Sequence, residues 1–279
     1  MIGTNSEATD VEQQRVAIAG FGAIGTVVAR HLDRGIDGMA LAAVSARDAT
    51  KAERAMEAFE RKVPVVPLDR LWEEAEIVVE CAPAAVLRQL AEPALEHGRT
   101  VISLSCGALL DNFDLVELAR AHGGRIIVPT GALLALDAVQ AAAVGEISRV
   151  HMTTRKPPNG LDGAPYLVAN KIDVNGLNAP KKVFTGSARE AARGFPANVN
   201  VAAALAMAGI GPDRTTIEIW ADPAATRNMH RIEVEADSAR FAFEIENIPS
   251  LENPRTGKLT ALSVVALLRK MGSPLAIGT

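Results

Sequence analysis

A histidine at the start of an alternating segment is a first candidate for chemistry in this sequence. The run RNMHRIEVEAD, residues 227–237, reads as a strand and places His230, Ile232 and Val234 on one face. The two aliphatic residues indicate that this face is buried. Because a buried imidazole without a partner is costly, we expect His230 to be either hydrogen-bonded or engaged in proton transfer.

A glycine-rich turn near the N-terminus could hold a dinucleotide. Gly20-x-Gly22-x-x-Gly25 directly follows an apolar strand and opens a helix, which is the context that the dinucleotide fingerprint requires. Gly20 allows the tight turn, Gly22 lets the backbone approach a pyrophosphate, and Gly25 lets helix and strand pack closely. Ala23 and Ile24 begin the helix, whose free N–H groups favour phosphate. The alternative is a glycine turn in an α/β fold that binds no ligand.

The end of the second predicted strand bears on the choice of cofactor. An NAD site usually has an acidic residue there, but the run SARD places Arg47 before Asp48. Arg47 could pair with a 2′-phosphate through charge-assisted hydrogen bonds, or it could be a solvated surface arginine. We therefore predict NADP or NAD as the cofactor, with NADP accepted at least as well as NAD.

Cys81 and Ala82 close the strand predicted over the run EIVVECA. Ligands lie outside the carboxyl ends of strands in doubly wound sheets, so both residues should border the ribose and nicotinamide. No histidine is near Cys81 in sequence, and we interpret it as a packed small residue rather than a nucleophile.

Apolar runs that alternate with helical segments over residues 15–129 predict a Rossmann-type, doubly wound parallel sheet. These runs are RVAIAG, LAAVS, VPVV, EIVVECA, TVISLS and RIIVPT. After residue 130 come a small-residue helix, a strand, an irregular stretch over 157–180, an Ala-rich helix and three strands with one polar face. This pattern predicts an α+β substrate and dimerisation domain. We expect the final helix, LTALSVVALLRKMG, to pack back on the first domain.

These patterns predict four segments of the chain. They are a disordered tail over 1–14, a dinucleotide-binding domain over 15–130, an α+β domain over 131–250 and a C-terminal helical segment over 251–279. The irregular stretch at 157–180 could form a lid over a site or lie away from it.

Composition narrows the functional class. The 279 residues include 48% hydrophobic and 22% charged residues and carry a formal charge of −4, which argues against nucleic-acid binding. Two cysteines without metal-ligand spacing predict no metal site and fit the cytoplasm. The polar start lacks the apolar core of a signal peptide, and no stretch reaches the about 18 apolar residues of a membrane span.

The chain resembles the L-aspartate dehydrogenase family in seven runs that occur in order from about residue 15 to the C-terminus. The runs are GFGAIG, SCGALLD, VPTGALLALDAV, TTRKPP, FPANVNVAAALAMAG, ADPAATRNMHRIEVEAD and ENPRTGKLTALS. The resemblance implies oxidation of L-aspartate with NAD or NADP to iminosuccinate, which hydrolyses to oxaloacetate and ammonia, and the reverse reductive amination. It also implies a homodimer, and it makes NAD biosynthesis or aspartate catabolism possible settings.

The resemblance also implies roles for single residues. His230 matches the catalytic histidine of the RN-x-H strand, where it would exchange protons with the amino group or with the water that attacks the imine. Asn200 closes the PxNxN run and would contact the cofactor, as would Ala132 in the SGA-type turn.

A dicarboxylate substrate would need cationic or hydroxyl partners. Thr130 keeps the hydroxyl of the family turn, and Arg227 lies just before the strand, where it could reach a cleft mouth. Thr154, Arg155 and Lys156 are further candidates by residue type and position. For each charged residue the alternative is a solvated surface charge.

The turn TGALLALD departs from the family pattern, which reads close to SGAIGGLD. Leu134 and Ala135 replace two glycines, so we expect a stiffer and bulkier loop. The change leaves open a reductase of another small carboxylate, similar to homoserine dehydrogenases or dihydrodipicolinate reductases. A non-catalytic NADP-binding sensor is a third possibility, against which the retention of His230 and Asn200 argues.

Overall fold

Two five-stranded sheets organise the residues that the computed structural model describes, which are 13–196, 199–250 and 257–278. The strands of the first sheet are β1 (Gln14–Ala19), β2 (Met39–Ser45), β3 (Ile77–Glu80), β4 (Thr100–Ser103) and β5 (Arg125–Ile127). They are all parallel and lie in the order β2-β1-β3-β4-β5. The alternation of apolar runs and helices predicted a parallel sheet, and the structure confirms it.

Helices cover both faces of the first sheet. They are α1 (Ala23–Asp33), α2 (Ala49–Ala55), α3 (Leu71–Glu74), α4 (Leu87–Glu96), α5 (Cys106–Asp111) and α6 (Asp114–His122). One apolar cluster includes α1, and another, on the opposite face, includes α4 and α6. Gly98 and Gly123 follow α4 and α6 with φ of +68° and +70°, a conformation that ends helices at low steric cost.

One predicted strand of this sheet does not form. The run VPVV makes only a single parallel bridge, between Val44 and Val65, among the residues that the structure describes. Pro64 and Pro67 flank this bridge, and proline has no N–H with which to extend a ladder. The first sheet therefore has five strands where six apolar runs predicted six.

The second sheet is mixed, as expected for an α+β domain. Its strands are β6 (Ile147–Lys156), β7 (Lys181–Ser187), β8 (Thr216–Ala221), β9 (Met229–Ala236) and β10 (Arg240–Glu246), in the order β10-β9-β6-β8-β7. β6 and β8 are parallel, and the other neighbours are antiparallel. The helices of this domain are α7 (Leu136–Ala142), α8 (Pro165–Ala169), α9 (Ala188–Gly194) and α10 (Asn200–Ala208). They bury apolar residues against one face of the sheet.

The sequence pattern missed β7, α8 and α9. An aromatic cluster joins them, because Tyr166 of α8 packs against Phe184 of β7 and against Phe195, which follows α9, with ring centroids 5.1 Å and 5.6 Å apart. None of the residues 157–180, all of which the structure describes, lines the cavity between the two domains that is presented below; several residues between 162 and 175 line a separate cavity. The stretch therefore belongs to the packed domain, and the lid interpretation is not supported.

The last helix, α11 (Lys258–Gly272), returns to the first domain, as predicted. Val264, Val265 and Leu268 are buried in the same apolar cluster as Val16 and Ile18 of β1. Residues 251–256 of the predicted C-terminal segment lie outside the described residues.

The predicted N-terminal tail lies mostly outside the described residues. Where the description begins, Gln14 is already the first residue of β1, so the tail as predicted is one residue too long. None of the helices in the described ranges is both long enough and apolar enough to cross a membrane.

Candidate active site

A cavity of about 180 Å³ lies where the first domain, the inner face of the second sheet and the start of α11 meet. Its lining residues are Ile24, Leu104, Cys106, Pro129, Thr130, Gly131, Ala132, Lys156, Asn200, Val201, Ala204, Asn228, His230, Asn247, Gly257 and Thr260. Clefts between domains commonly bind small ligands. The cavity thus brings together Ile24 of the glycine turn with His230, Asn200, Ala132 and Thr130.

The glycine turn has the shape that a dinucleotide needs. Gly20 has φ of +93°, and a Cβ there would lie 2.6 Å from the carbonyl oxygen of Cys81. A Cβ on Gly25 would lie 2.0 Å from the carbonyl oxygen of Gly20. A Cβ on Gly22 would instead meet nothing within 4 Å. Packing of the chain therefore explains Gly20 and Gly25, whereas Gly22 faces open space at the helix N-terminus, where a pyrophosphate would lie.

The end of β2 presents Arg47 to solvent. Arg47 is exposed, two residues after the strand ends. The carboxylate of Asp48 accepts a hydrogen bond from Lys51 N at 3.0 Å and caps α2. Asp48 thus caps the helix that follows, and Arg47 is exposed at the carboxyl end of β2.

Cys81 and Ala82 follow β3 and contact the glycine turn. The backbone of both residues lies against Gly20, as the close approaches of 2.6 Å and 2.8 Å to its ideal Cβ position indicate. Burial raises the pKa of the Cys81 thiol well above its ordinary value. Cys106, which lines the cavity, has a pKa raised by burial to about 12. Both thiols are therefore protonated at neutral pH, and neither has the thiolate character of a nucleophile.

His230 is buried on the inner face of β9, with 3% of its surface exposed. β9 pairs with β6 so that His230 lies opposite Thr154, and His230 Nδ1 is 3.0 Å from Thr154 Oγ1. Burial, and secondarily the positive charge of Lys156, lower the pKa of His230 to about 3. The imidazole is therefore neutral at neutral pH, is held by one hydrogen bond and lines the cavity.

Lys156 is a further cavity residue that sequence reasoning included only among several polar candidates. The inner face of β6 carries Val150, Met152, Thr154 and Lys156, all buried. Lys156 is 4% exposed, and burial lowers its pKa to about 8. The alternation along TTRKPP could have placed Thr154 and Lys156 on one face, but that face could be recognised as a cavity wall only from the fold.

Two asparagines of the cavity are held by backbone contacts. Asn200 Oδ1 accepts a hydrogen bond from Gly107 N at 3.0 Å, which joins α10 to α5. Asn247, which the sequence analysis missed, donates from Nδ2 to the carbonyl oxygen of Ala132 at 3.0 Å. Asn247 is 5% exposed, and its Oδ1 has no hydrogen-bond partner among the residues that the structure describes. A buried acceptor of this kind in a cavity wall is suited to a ligand that donates hydrogen bonds.

The other substrate candidates separate into two groups. Thr130 lines the cavity, as expected for a substrate contact. Arg227 does not line it, and its guanidinium lies 3.9 Å from the carboxylate of Glu246. Arg155 lies on the opposite face of β6 from Lys156, 3.3 Å from Asp222 Oδ2. The structure therefore brings Thr130 and Lys156 to the site, and it places Arg227 and Arg155 outside it.

The departure in the turn TGALLALD has a structural consequence. Ala135 directly precedes α7 with φ of +53°, a left-handed conformation that favours glycine. Leu134 is 43% exposed. The loop thus holds an alanine in a conformation that glycine adopts at lower steric cost.

The buried side chain of Glu80 holds the turn after β4, which lines part of the cavity. Glu80, at the carboxyl end of β3, is completely buried and accepts hydrogen bonds from Ser105 N at 2.8 Å, Ser105 Oγ at 3.0 Å and Leu104 N at 3.1 Å. Burial raises its pKa, and these hydrogen bonds partly oppose that rise. Glu80 therefore joins β3 to the turn after β4, from which Leu104 and Cys106 reach the cavity.

The chain matches two family models that together span most of its length. The model described as "Aspartate dehydrogenase, C-terminal" matches residues 137–271. The model described as "Homoserine dehydrogenase, NAD binding domain" matches residues 20–129.

Similar proteins agree with these matches. The chain is 59% identical over 274 residues to L-aspartate dehydrogenase of Bradyrhizobium diazoefficiens, and the alignment covers 98% of this chain and 97% of that protein. It is 54% identical to L-aspartate dehydrogenase 3 of Bordetella bronchiseptica, with 96% and 98% covered. The crystal structure of aspartate dehydrogenase from Thermotoga maritima shares the fold, with a TM-score of 0.72 at 24% identity, over 95% of this chain and 100% of that one. The chain belongs to the L-aspartate dehydrogenase family.

Proposed function

We propose that the protein is an NAD(P)-dependent L-aspartate dehydrogenase. It oxidises L-aspartate to iminosuccinate, from which water releases oxaloacetate and ammonia, and it catalyses the reverse reductive amination. The observation that carries the proposal is a buried, neutral His230 in a cavity that adjoins an intact glycine turn. The identity of 59% to an L-aspartate dehydrogenase supports the choice of substrate.

The cofactor side of the cavity suits a nicotinamide dinucleotide. When bound, the nicotinamide supplies the hydride acceptor or donor for the reaction. Gly20, Gly22 and Gly25 would place the pyrophosphate at the N-terminus of α1. Asn200 and Ala132 would hold the nicotinamide end. Since Asn200 Oδ1 already accepts from Gly107 N, its Nδ2 is the group that can donate to a ligand.

His230 would act as the proton-transfer group at the substrate. In its neutral form it can accept a proton from the substrate ammonium, or from the water that attacks the imine carbon, and it can return that proton in the reverse direction. The hydrogen bond between Nδ1 and Thr154 Oγ1 holds the ring plane, so that the opposite nitrogen, Nε2, is left for the substrate. General acid–base catalysis of this kind typically contributes about 10²–10⁴ in rate.

The decisive experiment mixes purified protein with NADPH, oxaloacetate and ammonium at mildly alkaline pH and follows the nicotinamide absorbance. The run is repeated with NADH, and both runs are repeated without ammonium. Ammonium-dependent loss of absorbance is the expected result and ranks the two cofactors. Loss without ammonium would instead identify a keto-acid reductase. No loss with either cofactor, together with measurable NADPH binding, would favour another substrate or a sensor.

The proposal extends to a homodimer in the cytoplasm. The family resemblance is the basis for the dimer, and light scattering of the purified chain would test it. Both cysteines are free thiols, as a reducing compartment requires.

A further inference from the structure

Lys156 gives the cavity its charge. Of the described residues that line the cavity, none is Asp or Glu, and Lys156 is the one Lys or Arg among them. The polar groups around it include the amides of Asn200 and Asn228 and the hydroxyl of Thr130. A wall of this composition favours an anion, because a carboxylate can accept hydrogen bonds from the ammonium, the amides and the hydroxyl together.

We infer that Lys156 binds a carboxylate of the substrate and thereby positions the substrate against His230. The inference rests on the proposed function in taking L-aspartate as the source of that carboxylate.

Strand register places Lys156 and His230 on one wall. Thr154 pairs with His230 across β6 and β9, and Lys156 follows Thr154 by two residues on the same buried face. Lys156 is therefore a diagonal neighbour of His230, at a distance of roughly 7–8 Å between backbone positions. A carboxylate within about 3 Å of the Lys156 ammonium would hold the rest of a four-carbon substrate within reach of the imidazole.

The charge state of Lys156 at neutral pH suits an anionic ligand. Although burial lowers the pKa of Lys156 to about 8, the ammonium form still predominates at pH 7. The group is therefore charged under the conditions in which it would bind the substrate.

A bound carboxylate would also change the basicity of His230. Burial and the charge of Lys156 are the two causes that lower the pKa of His230 to about 3, and at that value the imidazole is a weak base. A carboxylate paired with Lys156 offsets the second cause, so the pKa of His230 rises toward the value that burial alone sets. Among the described cavity residues, the other ionisable group is Cys106, whose thiol is neutral, and Ile245 of β10 faces His230 from the neighbouring strand. Binding of the substrate carboxylate would thus make the His230 imidazole a stronger base toward the same substrate.

The test measures the binding of succinate, a four-carbon dicarboxylate that cannot react, to protein saturated with NADP. Isothermal titration calorimetry at pH 7 compares the wild type with Lys156→Met and with the control Lys182→Met. Lys182 is a lysine on β7, two strands away from β6 in the same sheet, and pairs with Glu218 at 3.2 Å outside the cavity. We expect K156M to weaken succinate binding by about 30-fold or more, and K182M to leave it unchanged. The NADP dissociation constant should stay within about twofold in both variants.

Three further measurements of succinate binding test the role of Lys156. Lys156→Arg, which keeps the positive charge, should recover part of the succinate affinity, and Lys156→Gln, which also removes the charge, replaces K156M if that variant does not fold. In the wild type, succinate affinity should fall about tenfold for each pH unit above about 8, and K156M should lack this dependence. Competition by 3-aminopropanoate, which keeps only the β-carboxylate, and by L-alanine, which keeps only the α-carboxylate, identifies the carboxylate that Lys156 holds.

The outcomes separate the inference from the proposed function. If K156M binds succinate as tightly as the wild type does, Lys156 is not the carboxylate ligand, even if the wild type oxidises aspartate. If the wild type binds succinate through Lys156 but reacts with neither aspartate nor oxaloacetate and ammonium, the proposed function fails and the carboxylate site stands. If the wild type neither turns over aspartate nor binds succinate, both fail.

Discussion

The two walls of the candidate site are built by different means. The first wall, beside the cavity, is a backbone structure, in which a glycine turn between β1 and α1 leaves Gly22 open to a ligand and Ile24 of the turn reaches the cavity. The opposite wall is a side-chain structure on the inner face of the second sheet. There, Thr154 and His230 form a hydrogen bond although they are 76 residues apart in sequence.

This difference determines what each wall can contribute to a reaction. Backbone N–H groups bind phosphate without an ionisable group, so the first wall is insensitive to pH. The second wall buries an imidazole and an ammonium together; burial lowers the pKa of both groups, and the charge of Lys156 lowers that of His230 further. We therefore expect changes in the first wall to affect cofactor binding or folding, and changes in the second wall to affect turnover and pH dependence.

Replacing His230 should have the largest effect. His230→Ala removes the proton-transfer group, so kcat for aspartate should fall about 10²–10⁴-fold. The dissociation constant for NADPH, measured by fluorescence titration, should remain nearly unchanged because the glycine turn is intact. His151→Ala is the matched control, since that imidazole lies on the outer face of β6 and contacts Thr216 Oγ1 at 2.9 Å. If His230→Ala turned over aspartate at the wild-type rate, His230 would not be the proton-transfer group.

The next largest effect should be a loss of folding stability at acidic pH, caused by His230 of the second wall. The folded protein holds His230 with a pKa of about 3, below the ordinary value of 6.5. Between these values the unfolded chain binds more protons than the folded one, so stability falls as pH drops through this range. Between pH 7 and pH 4 this group should cost about 3 kcal/mol of the free energy of unfolding.

The variant His230→Asn provides the reference for that measurement, because asparagine can keep the contact to Thr154 but does not titrate. Urea unfolding at pH 7 and pH 4 should show a loss of stability about 3 kcal/mol smaller in the variant than in the wild type. Equal losses in the two proteins would mean that the imidazole is not held neutral by its burial.

Two glycines of the first wall should separate folding from cofactor binding. Gly25→Ala places a Cβ 2.0 Å from the carbonyl oxygen of Gly20, so it should lower the free energy of unfolding by about 1–3 kcal/mol. Gly22→Ala meets no protein atom within 4 Å and should leave thermal stability unchanged, but it should weaken cofactor binding about tenfold. If Gly22→Ala bound NADPH normally, the pyrophosphate would not lie against that turn.

The same contrast explains what the sequence could predict. The strand and helix on either side of the glycine turn and the parallel direction of the first sheet follow from local patterns in the chain, and both were predicted correctly. The burial of His230 followed from alternation within a single strand. Its partner Thr154 and its neighbour Lys156 required the register between β6 and β9, which no local pattern contains.

The features that the sequence analysis predicted wrongly or missed depend on pairing and packing that hydrophobic patterns do not encode. The run VPVV has the hydrophobicity of a strand, but Pro64 and Pro67 limit its pairing to one bridge. β7 begins with Lys181 and Lys182 and contains Gly186, so its pattern is weak, and it is stabilised by aromatic packing with distant residues. Asn247 follows an alternating strand, and its contact to Ala132 spans 115 residues.

The smallest expected effect concerns Arg47 and the choice between NADP and NAD. Arg47 is exposed, so a contact with a 2′-phosphate is screened by solvent and should contribute roughly 1 kcal/mol, or about fivefold in KM. Arg47→Ala should therefore raise KM for NADP about fivefold and leave KM for NAD unchanged. Arg120→Ala, which removes an exposed arginine paired with Glu117 on α6, should change neither value. An unchanged KM for NADP in Arg47→Ala would show that this side chain does not bind the 2′-phosphate. Backbone groups of the first wall would then accommodate the phosphate, and the first wall would bind the whole cofactor without a charged side chain.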